Sequence, residues 1–281
     1  MTSGNTVVIE DREISGPHGP IAIRVYRPEG VPLGGLVWLH GGAFVSGDLD
    51  MPESDWVARG FAGDGRVVVA VDYRLAPPPA SWLAYMPDPG GTSRFPVASE
   101  EVAAAFRWAS ESFESVPHDR WALGGASAGA NLAAGATLRL QDEGGTSPSA
   151  VLLAYPLVHA ALPTMAEELE AKCSALTPPG GFASEIVDEM NLNYAGNVEN
   201  LSDRYAFPGG HELIGFPPTI IVNSDSDSLR ASGDLFASEL IRAGVDVSVS
   251  REPGTLHGHL NEPETTGAQR TLARLIRWLR P

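Results

Sequence analysis

The pentapeptide Gly125-Ala126-Ser127-Ala128-Gly129 constrains this chain more than any other stretch. It sets a serine among small residues, after the strand-like run Trp121-Ala122-Leu123-Gly124 and at the head of a helix-like run over about 128–140. So sharp a strand-to-helix turn holds its serine in strained backbone, and the flanking residues must be small for strand and helix to approach. The pattern is that of a nucleophile elbow. It also fits a plain glycine-rich turn, so its meaning rests on what surrounds it.

What surrounds it is an alternation. Strand-like segments rich in Val, Ile and Leu fall at 7–11, 21–27, 35–39, 67–72, 121–124, 150–155, 219–223 and 245–251. Helix-like segments fall between most of them, at 53–62, 98–112, 128–141, 228–243 and 265–279. This order predicts an α/β fold: a mostly parallel eight-stranded sheet with helices on both faces. The first two strands, joined by Gly16-Pro17-His18-Gly19-Pro20, read as an antiparallel hairpin at the sheet edge. A chain of 281 residues fits one α/β domain, 1–281. Two segments break the alternation. Residues 78–95 are too long for a simple connection. Residues 158–216, with helical patches near 164–175 and 183–193, read as a lid inserted over the carboxyl ends of the strands, where open α/β sheets bind ligands.

Composition narrows the function classes. A formal charge of −16 argues against nucleic acid and anionic membrane surfaces, which select clustered Lys and Arg. No apolar run approaches the roughly 20 residues a bilayer span needs. The N-terminal Met1-Thr2-Ser3-Gly4-Asn5 lacks the basic and apolar blocks of a signal peptide, so the cytoplasm is the expected location. Cys173 is the only cysteine, which precludes an internal disulfide. The histidines and acids show no paired short spacing on one helix, so neither a metal nor a cofactor is expected.

A serine hydroxyl becomes a nucleophile only when a base accepts its proton and a third group orients that base. In hydrolases of this architecture the chain order is Ser, then Asp or Glu, then His. Asp225 and Asp227 follow the apolar strand 219–222, and His257 follows the strand ending near Arg251. The tetrahedral intermediate also needs oxyanion donors. A buried strand ending in His40-Gly41-Gly42-Ala43-Phe44 offers backbone N–H groups, and Ala128 follows the serine. The insertions contribute Trp82, Tyr85, Met86, His159 and Phe182, which with Phe44 are candidate pocket residues, and Tyr194 has the same standing. His40 reads as a loop-ordering residue, and the 72–74 stretch as structural.

Five motifs now carry a resemblance. His40-Gly41-Gly42-Ala43-Phe44, Asp72-Tyr73-Arg74-Leu75-Ala76-Pro77, Gly125-Ala126-Ser127-Ala128-Gly129, Asp227-Ser228-Leu229-Arg230 and His257-Gly258 resemble, in order and spacing, the hormone-sensitive-lipase family of α/β-hydrolase carboxylesterases, the bacterial family IV type. The resemblance implies the triad Ser127, Asp227 and His257, with Gly41, Gly42 and Ala128 as the oxyanion hole. It selects Asp227 over Asp225. It further implies a small ester as substrate and would allow a homodimer on the last strand and C-terminal helix. The chain departs from the family in four ways. Ala126 stands where an acid is common, which implies a missing polar contact. Ala43 replaces a third glycine. His259 replaces a Phe and is expected to alter the rim beside His257, and no N-terminal helical cap precedes the first strand. Three readings follow: a serine carboxylesterase on small, short-chain esters, an arylformamidase or amidase on the same triad, or a non-catalytic receptor of the gibberellin-receptor kind.

Overall fold

The computed structural model describes residues 6–84, 90–176 and 181–280. Among these, eight strands form one sheet, in the order β1-β2-β4-β3-β5-β6-β7-β8. They are β1 (Val8–Gly16), β2 (Gly19–Arg27), β3 (Gly34–Leu39), β4 (Arg66–Asp72), β5 (Trp121–Ala126), β6 (Val151–Ala154), β7 (Thr219–Ser224) and β8 (Val247–Glu252). From β4 across to β8 all neighbours are parallel, while β1 with β2 and β2 with β4 are antiparallel. The expected edge hairpin is present, with Gly16 paired to Gly19 across the turn. Its first strand runs nine residues, beyond the expected 7–11. Four consecutive charged residues, Glu10, Asp11, Arg12 and Glu13, lie in its middle, as an edge strand allows, and they hide its length from a hydrophobicity reading.

The central strands β3, β5, β6 and β7 are buried at every residue because helices cover both faces. On one face, Val37, Leu39, Leu123 and Leu153 pack with α2 (Val97–Ser112), α3 (Ala128–Glu143) and α6 (Arg230–Arg242). On the other, Leu36, Trp38, Val68 and Leu152 meet α1 (Pro52–Gly63) and α7 (Thr266–Leu279). Between β6 and β7 the chain carries α4 (Glu167–Ser174) and α5 (Ser184–Ala195). Lys172, the only lysine, ties α4 to the loop after β7 through Asp225 at 2.6 Å. Parallel strands bring their carboxyl ends to one edge, so the loops after β3, β5, β7 and β8 converge there. No described helix is long and apolar enough to cross a membrane.

Candidate active site

Ser127 sits between β5 and α3 with φ 53° and ψ −118°, a conformation that L residues rarely adopt. Its N–H donates to the Ala154 carbonyl at 2.9 Å, which anchors the turn to β6. The small neighbours are required by contact. A Cβ on Gly129 would lie 2.3 Å from the His40 carbonyl oxygen, and one on Gly125 would lie 2.5 Å from Gly129 backbone.

The loop after β8 brings His257 to this serine. Asp227 Oδ2 lies 2.7 Å from His257 Nδ1, and His257 Nε2 lies 2.9 Å from Ser127 Oγ. A carboxylate only accepts, so Nδ1 carries the hydrogen and Nε2 is left to accept from the serine hydroxyl. Asp227 is fully buried, and its other oxygen accepts the Leu229 N–H at 3.0 Å. Burial pulls the His257 imidazole down, but the Asp227 charge and hydrogen bond, with the charge of Glu53, outweigh it and hold the group above its ordinary range. Tyr155 and Phe182 flank the ring edge-on, with centroids at 5.1 and 5.2 Å. Asp225 faces elsewhere: it pairs with Lys172 and Arg251 and accepts the Gly254 N–H at 3.0 Å.

Ser127 and His257 open onto a cavity of about 290 Å³, lined also by Gly42, Ala43, Phe44 and Ala128, the apolar Trp82, Leu157, Phe182, Met190 and Leu229, and the polar Glu53 and Asn261. The loop after β3 is strained: Ala43 and Phe44 lie consecutively in the left-handed region, at φ 55° and 64°. His40 underpins it, fully buried, with Nδ1–H donating to the Gly41 carbonyl at 2.7 Å and its ring stacked on Tyr73. Phe44 stacks on Tyr194 of α5 at 3.9 Å between centroids.

Three expectations need correction. Gly41 does not line the cavity, and its N–H donates to Glu53 Oε1 at 2.7 Å, so that hydrogen is engaged. The N–H groups of Gly42, Ala43 and Ala128 have no acceptor among the described residues. His159 does not line the cavity either. Its ring turns onto α6, with Nδ1 at 2.8 Å from Ser232 Oγ and Nε2 beside Glu239. His259 is not on the rim but buried beneath it, between Ser224 Oγ at 2.9 Å and Thr271 Oγ1 at 2.8 Å. Burial and the nearby His257 push its imidazole down to about 4. Tyr85 and Met86 lie outside the described residues.

Sequence reasoning passed over Glu53, Ala43, Leu157, Met190, Leu229 and Asn261. Leu229 stood inside the Asp227-Ser228-Leu229-Arg230 motif, and Ala43 inside the glycine motif. Glu53 entered only as the first residue of the helix-like segment 53–62.

Residues 36–261 match a family described as alpha/beta hydrolase fold. Over 266 residues the chain is 32% identical to the esterase LipI of Mycobacterium tuberculosis, covering 90% of this chain and 75% of the relative. It is 33% identical over 255 residues to the carboxylesterase NlhH of the same organism, covering 86% and 72%. The chain belongs to the α/β-hydrolase family, on its hormone-sensitive-lipase side. Among solved structures, EstE1, a thermophilic and thermostable carboxylesterase cloned from a metagenomic library, superposes with a TM-score of 0.84 at 28% identity, covering 98% of this chain and 90% of its own. As expected of such a hydrolase, the loops described above leave the carboxyl ends of successive parallel strands.

Proposed function

We propose that this chain hydrolyses small, short-acyl esters through an acyl-enzyme on Ser127. That it is a carboxylic ester hydrolase follows from its family and esterase relatives. The finer reading rests on one observation: an Asp227–His257–Ser127 relay at 2.7 and 2.9 Å, opening onto a closely bounded apolar cavity.

In this reading His257 Nε2 takes the Ser127 proton as Oγ attacks the ester carbonyl, and Asp227 holds the imidazole tautomer and stabilises the imidazolium. The oxyanion that forms accepts from the N–H groups of Gly42, Ala43 and Ala128. Each such donor contributes about 3 kcal/mol in comparable hydrolases. The imidazolium returns its proton to the departing alkoxide, leaving an acyl group on Oγ. Water, deprotonated by the same Nε2, then releases the acid and restores the hydroxyl.

Residues 158–216 act as the lid of the single domain 1–281, since Phe182 and Met190 reach the cavity from them. A volume of about 290 Å³ shared by acyl and alcohol groups supports short chains. The exposed edge of β8 leaves room for a second copy, and the molecular mass in solution tests that. For the reaction, a p-nitrophenyl ester series should peak at two to four acyl carbons, on the order of tenfold above decanoate. A fluorophosphonate should label the wild type and not Ser127→Ala. A peak at long chains, or labelling that survives the substitution, overturns the reading.

A further inference from the structure

Glu53 is an acid in an unusual place. Its side chain is 2% exposed, yet it lines the cavity with Ser127 and His257. Both carboxylate oxygens are committed as acceptors: Oε1 takes the Gly41 N–H at 2.7 Å and Oε2 takes the Tyr155 hydroxyl at 2.7 Å. No Arg, Lys or His lies within ion-pair distance of it among the described residues. Its backbone is equally fixed, for the Glu53 carbonyl accepts Trp38 Nε1–H at 2.7 Å and its N–H donates to Asn261 Oδ1 at 3.3 Å.

A buried carboxylate without a standing countercharge is costly, and two neutral donors offset only part of that cost. The cation missing from the resting site is the one the reaction creates. When His257 takes the serine proton, an imidazolium forms beside Asp227 and in the cavity that Glu53 also lines. Tyr155, edge-on to the His257 ring at 5.1 Å, donates its hydroxyl to Glu53 Oε2, and the charges of Glu53 and His257 act on each other. Glu53 also meets the oxyanion loop. A Cβ on Gly41 would fall 2.5 Å from Glu53 Oε1 and 3.0 Å from the Ser127 Cβ, so acid, loop and nucleophile form one packed cluster. Ala126, beside the nucleophile, offers no carboxylate, and Glu53 delivers one from α1 instead.

We infer that Glu53 is a positioning residue of the ester-hydrolysing site: its carboxylate, held by Tyr155, locks the oxyanion loop through Gly41 and supplies a second negative charge to the cavity in which the His257 imidazolium forms. This rests on the proposed function. The titratable groups around His257 are Asp227, Glu53, Tyr155 and His259; burial pushes the Glu53 carboxyl up, while the hydrogen bonds from Tyr155 and Gly41 and the charge of His257 pull it back down.

Two variants separate the roles. Glu53→Gln keeps an acceptor for Gly41 but removes the charge. The His257 titration, followed by imidazole NMR in the folded protein, then moves to lower pH, and the acidic limb of kcat/KM moves with it. Glu53→Ala removes the acceptor as well and lowers kcat roughly 10- to 100-fold, with KM within about threefold. Tyr155→Phe strips the donor from Oε2 alone and shifts the titration the same way by less. It reads the link if the Glu53 variants do not fold. An unmoved His257 titration overturns the proposal, even where stability and kcat fall together. If the wild type hydrolyses no ester, the esterase reading fails, while the NMR titration still reports on Glu53.

Discussion

On the sheet side of the cavity, Ser127, Asp227 and His257 sit on loops that leave buried parallel strands, and each is held by directional bonds of 2.7–3.0 Å. The rest of the lining is of another kind: Trp82, Phe182 and Met190 come from the irregular segment after β4 and from the insertion before β7, and they present apolar surface. The first wall fixes atoms to within a fraction of an ångström, as bond-making requires. The second bounds a volume with apolar side chains, which suits discrimination among substrates, and Phe182 joins it to the first through Ser228 and the His257 ring. On the proposed reading, chemistry and selectivity fall largely to different segments of the chain.

Substitutions should divide along the same line. Ser127→Ala is expected to lower ester turnover by roughly 10⁶-fold with the melting temperature retained, and Asp227→Asn by roughly 10⁴-fold. Because the Asp227 charge helps raise His257, the Asp227→Asn variant should also show its acidic limb of kcat/KM at lower pH than the wild type. In the apolar lining, Phe182→Ala should change kcat/KM on acetate esters by less than about tenfold while improving hexanoate relative to acetate. Were Phe182→Ala as damaging as Asp227→Asn, the division of labour would not hold.

The contrast recurs at small scale between His257 and His259, two residues apart. His257 faces the cavity and is built to gain a proton, whereas His259 faces the fold and is built to stay neutral. An unfolded chain protonates His259 near 6.5 while the folded chain resists until about 4. Its contribution to stability is therefore complete above about 6.5 and is lost as pH falls toward 4, on the order of 3 kcal/mol. Denaturant titrations at these pH values should show that loss in the wild type and a shallower one in His259→Gln. Equal slopes would mean that burial and the nearby His257 do not hold the ring neutral.

The fold was legible where burial is uniform. Strands such as 35–39 and 219–222 read as apolar runs because both of their faces are covered, and the elbow was legible because packing dictates residue size. β1 was underestimated because an edge strand mixes charge into its pattern. The triad candidates could be located from chain order, since each follows a strand. The oxyanion donors could not be told apart: which of three successive N–H groups remains unengaged depends on left-handed backbone at Ala43 and Phe44, and on an acid arriving from α1. Likewise His159 and His259 each hydrogen-bond a serine that only the folded chain brings near.

The stack of Phe44 on Tyr194 is a second link between the oxyanion loop side and the insertion, beside the one that Phe182 makes to His257. Phe44 directly follows Ala43 in the strained loop, and Tyr194 closes α5, whose Met190 lines the cavity. A change in the packing of α5 therefore has a direct route to the loop that holds Gly42 and Ala43, and Tyr194→Leu is expected to lower kcat on short esters more than it changes KM.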